Sequence, residues 1–114
     1  MSDCLFCKIV ARTIPAALIY EDDLVVAFDD INPQAPTHTL VIPRKHVASM
    51  AELEDSDIGL LGHLMLASNK IAKLRGMTDA GYRFVVNTGV HGGQSVFHLH
   101  LHVLGGRHMA WPPG

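Results

Sequence analysis

Hydrophobic residues along this chain fall into short runs separated by polar, glycine and proline residues, and the later runs alternate apolar with polar positions. Such runs are typical of strands. The predicted strands are residues 24–28, 38–42, 82–87 and 97–104, and residues 88–94 form a glycine-rich loop. We expect these strands to be mostly antiparallel.

One longer segment, from about Asp57 to Arg75, repeats its apolar residues with the period of a helix. Its predicted buried stripe consists of Ile58, Leu61, Met65 and Ala72, widened by Leu64 and Ile71. Ser56 or Asp55 is the expected N-cap, and Gly76 is the expected C-terminal stop. Residues 4–11 are predicted to form a short helix that Pro15 cannot extend.

Length and composition place these elements in one globular unit. The chain has 114 residues, 48% of them hydrophobic, which predicts a single α+β domain over residues 1–114 with a proper core. Nine basic and eleven acidic residues give a net charge of −2, so we expect neither nucleic acid nor a membrane surface as a partner. The sequence shows no secretory pattern and no stretch of membrane-spanning length, and a cytoplasmic location is the expectation.

Histidine is the residue type that points to chemistry, since four of the eight histidines lie between positions 91 and 102. In the predicted last strand His98, His100 and His102 share one face, roughly 6.5–7 Å apart along the strand. A solvated polar face is the simplest interpretation. The alternatives are a metal site, or a neutral imidazole that attacks phosphorus while its neighbours hydrogen-bond the phosphoryl oxygens.

The segment that precedes this strand favours the phosphorus chemistry. Gly92-Gly93-Gln94-Ser95 offers backbone N–H groups and a hydroxyl, which suit an anionic oxygen. The segment is not a Walker loop, because no Gly-Lys-Ser/Thr follows it.

The stretch His98–Leu104 fits the pattern His-φ-His-φ-His-φ-φ, where φ is apolar, and in this it resembles the histidine triad superfamily. The likeness extends through residues 30–38, 61–64, 92–95 and 111–114. It is strongest to the purine nucleoside phosphoramidase branch. The resemblance implies an α+β antiparallel meander that dimerises, through its long helix and an edge strand, into a continuous sheet. Leu66, on the polar side of the helix, is a candidate subunit contact.

The same resemblance implies roles for individual residues. His100 is then the nucleophile that forms a covalent nucleotidyl-histidine, with His102 and His38 facing the phosphate and Ser95 near the leaving group. The implied substrate-binding residues are Asp30 for the ribose, Phe28 and Ile31 for the base, Asn87 and Gly93 near the phosphate, and Trp111 in the tail. Taken without the resemblance, Asp30 is also interpretable as a turn residue, and Phe28 and Ile31 as core.

The activity implied is hydrolysis of the P–N bond in a purine nucleoside 5′-phosphoramidate, giving AMP or GMP and a free amine. A related activity within the family is the cleavage of dinucleoside polyphosphates. Two other hypotheses are a zinc hydrolase that uses the triad histidines as catalytic ligands, and a nucleotide-binding scaffold without turnover.

Cys4 and Cys7 have the spacing of half a zinc site, which two histidines could complete. The resemblance implies that His46 and His98 do so, in a closed structural site. A redox pair or two unlinked buried thiols are the alternatives. The remaining histidines are His63, interpreted as plain surface, His91 in the loop and His108 in the tail.

Overall fold

The computed structural model describes residues 3–114. Met1 and Ser2, which the single-domain prediction includes, lie outside the described residues. The elements in chain order are α1 (Leu5–Val10), β1 (Leu18–Glu21), β2 (Val25–Asp29), β3 (Thr37–Pro43), α2 (Ile58–Leu74), β4 (Tyr82–Val85) and β5 (Leu101–Gly105). Two single-turn 3₁₀ helices, Met50–Glu52 and Asp55–Asp57, precede α2. The predicted α+β class, with one short and one long helix, is confirmed.

The strands form one antiparallel sheet in the order β1-β2-β3-β5-β4. The first three strands form a meander, and β5 then inserts between β3 and β4. This insertion places the histidine-rich segment beside β3, so that Leu40 pairs with His102 and His38 with Leu104. Strand β1 has no counterpart among the predicted strands, because a four-residue edge strand carries too little pattern to be recognised.

Each face of the sheet has its own hydrophobic core, because successive strand residues point to opposite faces. The buried residues beneath α2 include Val25, Ala27, Val41, Leu99, Leu101 and Val103 from the sheet side, with Leu64 and Ile71 from α2. The opposite face buries Val26, Phe28, Leu40 and Ile42 against Phe6 and Ile9 of α1. Alternation along the last strand places Leu101 and Val103 in the core beneath α2, and His102 therefore points to the opposite face.

Helix α2 is rotated relative to the predicted stripe. Its buried residues are Leu64, Ala67, Ser68, Ile71 and Ala72, while two members of that stripe, Ile58 and Met65, are exposed. Apolar residues surround the first half of this helix, so periodicity alone does not select a face. Ser68 is buried because its hydroxyl donates to the Leu64 carbonyl at 2.8 Å. No helix in the described chain is long and apolar enough to cross a membrane.

The start of α2 also differs from the prediction. Neither Ser56 nor Asp55 caps it; instead the Asp57 carboxylate accepts the Glu54 backbone N–H at 2.9 Å, closing a capping box around the preceding 3₁₀ turn. Gly76 ends the helix with a φ of +72°, as expected. His63 is not plain surface, because its Nε2 lies 2.8 Å from a carboxylate oxygen of Asp22 in the β1–β2 turn.

The last strand is shorter than predicted and begins only at Leu101. The backbone before it leaves the ladder, since the Leu99 N–H donates to the Val47 carbonyl at 2.7 Å. The ring of His98 also bonds to the last residue of β3, because its Nε2 lies 2.8 Å from the Pro43 carbonyl. His98 and His100 therefore precede the strand, and only His102 belongs to it.

Candidate active site and metal cluster

A cavity of about 560 Å³ lies on the α1 side of the sheet. Its apolar wall comes from Leu5, Phe6 and Ile9 of α1, residues 14–17, Ile19, Phe28, Ile31, Leu40 and Val96. Its polar end is formed by Asp29, Asp30, Ser95, His100 and His102. A cavity with a mostly apolar lining and a few convergent polar groups is the usual form of a small-molecule site.

His100 is held in one tautomer by the backbone. Its Nδ1 lies 2.7 Å from the carbonyl oxygen of His98, and because a carbonyl can only accept, Nδ1 carries the proton. The neutral ring then has its lone pair on Nε2. A buried imidazole that lines the cavity with one unprotonated nitrogen has the form of a nucleophile.

Two consecutive hydrogen bonds fix the protons on the other two histidines. The Gln34 backbone N–H donates to His38 Nδ1 at 3.0 Å, so the proton of neutral His38 lies on Nε2. That N–H donates to His102 Nδ1 at 2.8 Å, which leaves the proton of His102 on its own Nε2. His102 Nε2 is buried and has no hydrogen-bond partner among the described residues. The site therefore holds a buried N–H donor that requires an acceptor.

His38 and His102 both favour the neutral form of the imidazole. Burial lowers the pKa of His102 to about 4, with His100 and His38 acting in the same direction. Burial also lowers the pKa of His38, although Asp30 and Asp29 oppose the change. The donor presented by His102 is therefore a neutral imidazole N–H at physiological pH.

Asp30 lines the polar end of the cavity, next to these two histidines. One carboxylate oxygen accepts the Asn32 backbone N–H at 2.8 Å, and the other lies 3.6 Å from His38 Nε2. The turn interpretation is confirmed by the bond to Asn32, and the same side chain also lines the cavity, so ribose binding stays a prediction. Phe28 is likewise both buried core and cavity wall, whereas Ile31 is fully exposed at the rim.

The glycine-rich loop differs from the expectation that its amides are free. The Gly93 N–H donates to the Val90 carbonyl and the Gln94 N–H to the Gly89 carbonyl, each at 3.0 Å. The Asn87 side chain donates to the Gly92 carbonyl at 2.6 Å, so it fastens the loop instead of lining the cavity. Ser95, an exposed residue, is the member of this segment that lines the cavity.

Two further predicted site residues do not line the cavity of the single chain. His38 lies behind His102 and acts on the cavity through it. Trp111 is 82% exposed in the C-terminal tail and makes no part of the cavity wall.

The second cluster of the site is formed by Cys4, Cys7, His46 and His98, whose donor atoms all lie within 4.8 Å of one another. Individual separations are 3.4 Å from Cys4 Sγ to His98 Nδ1, 3.3 Å from Cys7 Sγ to His46 Nδ1, and 3.2 Å between the two Nδ1 atoms. Ligands of a tetrahedral ion at about 2.0–2.3 Å lie roughly 3.3–3.8 Å apart. The four residues therefore fit one tetrahedral metal ion.

The protonation of His98 supports the same conclusion. Its Nε2 proton is donated to the Pro43 carbonyl, which leaves the Nδ1 lone pair directed at the cysteines. A backbone carbonyl in this position is the usual outer partner of a ligating histidine. Burial raises the pKa of the metal-free Cys7 thiol, with the neighbouring Cys4 adding to the effect.

The residues Asp30, His38 and His102 also lie close enough to be considered as a metal site. Their geometry favours a different interpretation, because the 2.8 Å between His38 Nε2 and His102 Nδ1 is a hydrogen-bond distance. Two imidazoles on one tetrahedral ion stand roughly 3.3 Å apart. This cluster, which contains only His102 of the three triad histidines, therefore gives no support to a catalytic metal.

Phe6 and Gln34 contribute to the site, and sequence reasoning did not single out either residue. Phe6 lies between the two cysteines, with its ring centroid 5.2 Å from that of His100. Gln34 acts through its backbone N–H, which no side-chain pattern can reveal. The position of Phe6 inside Cys-x-x-Cys was a usable signal, because a helix that carries two ligands also fixes the residues between them.

Comparison with known proteins agrees with this architecture. A sequence model described as the HIT domain matches residues 11–109. An uncharacterized HIT-like protein of Synechococcus elongatus is 54% identical over 112 residues, covering 98% of this chain and 97% of that protein.

Two solved structures are closely similar to the whole fold. A HIT family hydrolase from Legionella pneumophila superposes with a TM-score of 0.96 at 50% identity, covering 98% of this chain and 100% of that one. A histidine triad protein from Clostridium difficile gives a TM-score of 0.93 at 44% identity, covering 96% of both chains. With a family match over most of its length and whole-chain similarity to these relatives, the protein belongs to the HIT domain family.

Proposed function

We propose that this protein is a hydrolase that cleaves the P–N bond of purine nucleoside 5′-phosphoramidates through a covalent intermediate on His100. The observation that carries the proposal is the pair of fixed tautomers at the polar end of the cavity. His100 has an unprotonated Nε2, and His102 has a buried Nε2–H that finds no acceptor within residues 3–114. The description of the similar Legionella pneumophila protein as a hydrolase supports the general class.

The first step forms a bond between His100 Nε2 and phosphorus while the P–N bond of the substrate breaks. The partnerless His102 N–H hydrogen-bonds a non-bridging phosphoryl oxygen, where negative charge increases in the transition state. Ser95 lines the same end of the cavity, and its hydroxyl donates a proton to the leaving nitrogen, which departs as the free amine. Water then attacks phosphorus, one of its protons restores the Ser95 hydroxyl, and the bond from phosphorus to His100 breaks. The products are the nucleoside monophosphate and the amine.

The remainder of the cavity suits a nucleoside. The wall formed by α1, Phe28 and Ile31 offers apolar surface to a base, and the carboxylate of Asp30 is an acceptor for ribose hydroxyls. The negative charge of Asp30 and Asp29 also disfavours a second phosphate at that end, which separates the ribose position from the phosphoryl position beside the histidines.

Two features complete the proposed protein. We assign the Cys4, Cys7, His46 and His98 cluster to Zn²⁺, because two thiolates and two imidazoles in a closed set of four are typical ligands of structural zinc. When bound, the ion supplies a cross-link between the N-terminal helix and the sheet. We also propose a homodimer through α2 and the free edge of β4, with Trp111 reaching the site of the partner subunit.

The decisive experiment is to trap the intermediate. The protein is mixed with an adenosine 5′-phosphoramidate, quenched in base, digested and analysed by mass spectrometry. We expect one AMP moiety on the peptide that contains His100, together with release of AMP and amine. His100→Ala should retain AMP binding but lose the adduct and at least about 10³-fold in turnover, because the nucleophile is absent. His108→Ala, in the exposed tail, is the matched control.

The same assay distinguishes the other hypotheses. Full turnover by His100→Ala, or an adduct on a different residue, contradicts the proposed mechanism. Binding of AMP without turnover of any substrate indicates a scaffold. Faster cleavage of a dinucleoside polyphosphate than of the phosphoramidate indicates that the protein is a dinucleoside polyphosphate hydrolase.

A further inference from the structure

Helix α1 takes part in both clusters of the site. Cys4 caps the helix and Cys7 lies in its first turn, and their sulfur atoms face His98 and His46. Leu5, Phe6 and Ile9 of the same short helix form part of the cavity wall. The residues that would hold the metal and the residues that would hold the base therefore alternate along six residues of backbone.

Phe6 is the direct physical link between the two clusters. Its ring is 4% exposed and lies edge-on to both His98, at 5.9 Å between centroids, and His100, at 5.2 Å. On its other side it packs edge-on against Phe28 in the cavity wall, at 5.5 Å. A shift of α1 would therefore change the packing around the nucleophile and the shape of the base wall together.

Helix α1 depends on tertiary contacts for its position. A helix of six residues is far too short to be stable in isolation. Within the described chain its buried apolar anchors are Phe6 and Ile9, while Leu5 is 49% exposed. The four-residue metal cluster is the other attachment, and it joins this helix to His46 and His98, which are remote in sequence.

We propose that α1 couples metal binding to nucleotide binding, with Phe6 as the positioning residue that transmits the coupling. This inference rests on the proposed function, since it assumes that the cavity binds a nucleotide. Metal binding holds α1 in place. The free energy of nucleotide binding is then not reduced by the entropy cost of ordering the α1 side of the cavity. By thermodynamic reciprocity, a bound nucleotide raises the metal affinity by the same factor.

The test measures both affinities. AMP binding is determined by titration calorimetry for the Zn²⁺-loaded and the chelator-stripped protein, and Zn²⁺ binding by competition with a chromophoric chelator, with and without saturating AMP. We expect AMP to bind at least about fivefold more tightly to the loaded protein, with an equal factor for Zn²⁺. Amide exchange of residues 5–10 should quicken on metal removal while the central strands stay protected.

Two variants identify the route of the coupling. Phe6→Leu keeps an apolar wall but removes the aromatic contacts, and should bring the coupling factor close to one while both ligands still bind. Ile31→Ala lies on the cavity rim outside α1, and should weaken AMP binding equally in both metal states. Retention of the full factor by Phe6→Leu overturns the role of this residue.

The remaining outcomes separate this inference from the proposed function. Equal AMP affinity with and without metal overturns the coupling and leaves the proposed function standing. Failure of AMP to bind either form overturns the proposed function, and the coupling with it. Loss of the sheet signal in circular dichroism on metal removal contradicts the proposed coupling, because the coupling requires that metal removal changes the structure of α1 only.

Discussion

At the scale of single residues, backbone hydrogen bonds decide what each histidine can do. The His98 carbonyl accepts a hydrogen bond from Nδ1 of His100, so the ring proton lies on that nitrogen. The Gln34 N–H donates to Nδ1 of His38, so that nitrogen carries no proton. The resulting assignments are opposite for His100 and His102, although the two residues are separated by one position. Identical side chains thus present an unprotonated nitrogen at one position and an N–H donor at the other.

The lowered pKa of His102 predicts a pH-dependent stability. Between its ordinary value of 6.5 and about 4, the unfolded chain binds a proton that the folded chain does not, so the free energy of unfolding rises with pH in that window. The stabilisation is complete above about 6.5 and is lost as pH falls toward 4. Urea denaturation of metal-free protein at several pH values in this range should show this slope, and His102→Gln should reduce it.

The control for this prediction is His108→Gln, since His108 is exposed and should leave the slope unchanged. Other buried histidines, His38 in particular, retain part of the slope in the His102 variant. An identical slope for wild type and His102→Gln would show that His102 is already protonated in the folded state.

At the scale of secondary-structure elements, one carboxylate joins α2 to the β1–β2 turn. Asp22 accepts the backbone N–H groups of Leu24 and Val25, the Tyr20 hydroxyl and His63 of α2. Burial opposes ionisation of Asp22, but these donors together hold its pKa well below the ordinary value. The turn and the helix are thereby fixed to each other on the edge of the core.

Asp22→Ala should therefore destabilise the fold by about 2–3 kcal/mol, because it leaves several donors without an acceptor. Asp23→Ala, one residue further along and exposed, should change stability by less than about 0.5 kcal/mol. Chemical denaturation at neutral pH measures both. Equal effects of the two substitutions would indicate that the bonds to Asp22 contribute no net stability.

At the scale of the whole molecule, strand order leaves β4 at an edge of the sheet, close to an exposed leucine of α2. Among the described residues β4 pairs only with β5, and Tyr82 at its start is hydrogen-bonded to Asn69 of α2. One turn before Asn69 on the same helix face, Leu66 is 65% exposed. An unpaired edge and an exposed leucine side by side favour association of two chains through a shared sheet.

We expect wild-type protein to sediment at twice the monomer mass of 12.4 kDa. Leu66→Asp should shift the equilibrium toward monomer by placing a charge in the contact, with little loss of monomer stability because the position is exposed. Leu24→Asp, at an exposed leucine in the β1–β2 turn, should leave the mass unchanged. Analytical ultracentrifugation decides between them, and a monomeric wild type would contradict the dimer.

Local pattern was sufficient for the elements that repeat it. Residues 38–42 and 82–87 alternate or cluster apolar side chains clearly, and strands β3 and β4 lie there. Where the pattern was ambiguous the prediction was wrong. The buried face of α2 was misplaced because apolar residues surround the first half of this helix. Strand β1 was missed because it is short. The strand over 97–104 was predicted too long, since contacts with Val47 and Pro43 decide where pairing begins.

The sequence by itself determined the inventory of this protein: an α+β fold, alternating histidines opposite a leucine-lined core, and two cysteines at metal-ligand spacing. Only the tertiary structure decided how these parts act, because the deciding partners are remote in sequence. His46 joins Cys7 across 39 positions, and His38 meets His102 across 64. Backbone groups of Gln34, Pro43 and His98 then set the protons on the imidazoles, and no side-chain pattern encodes which carbonyl or amide will be within reach.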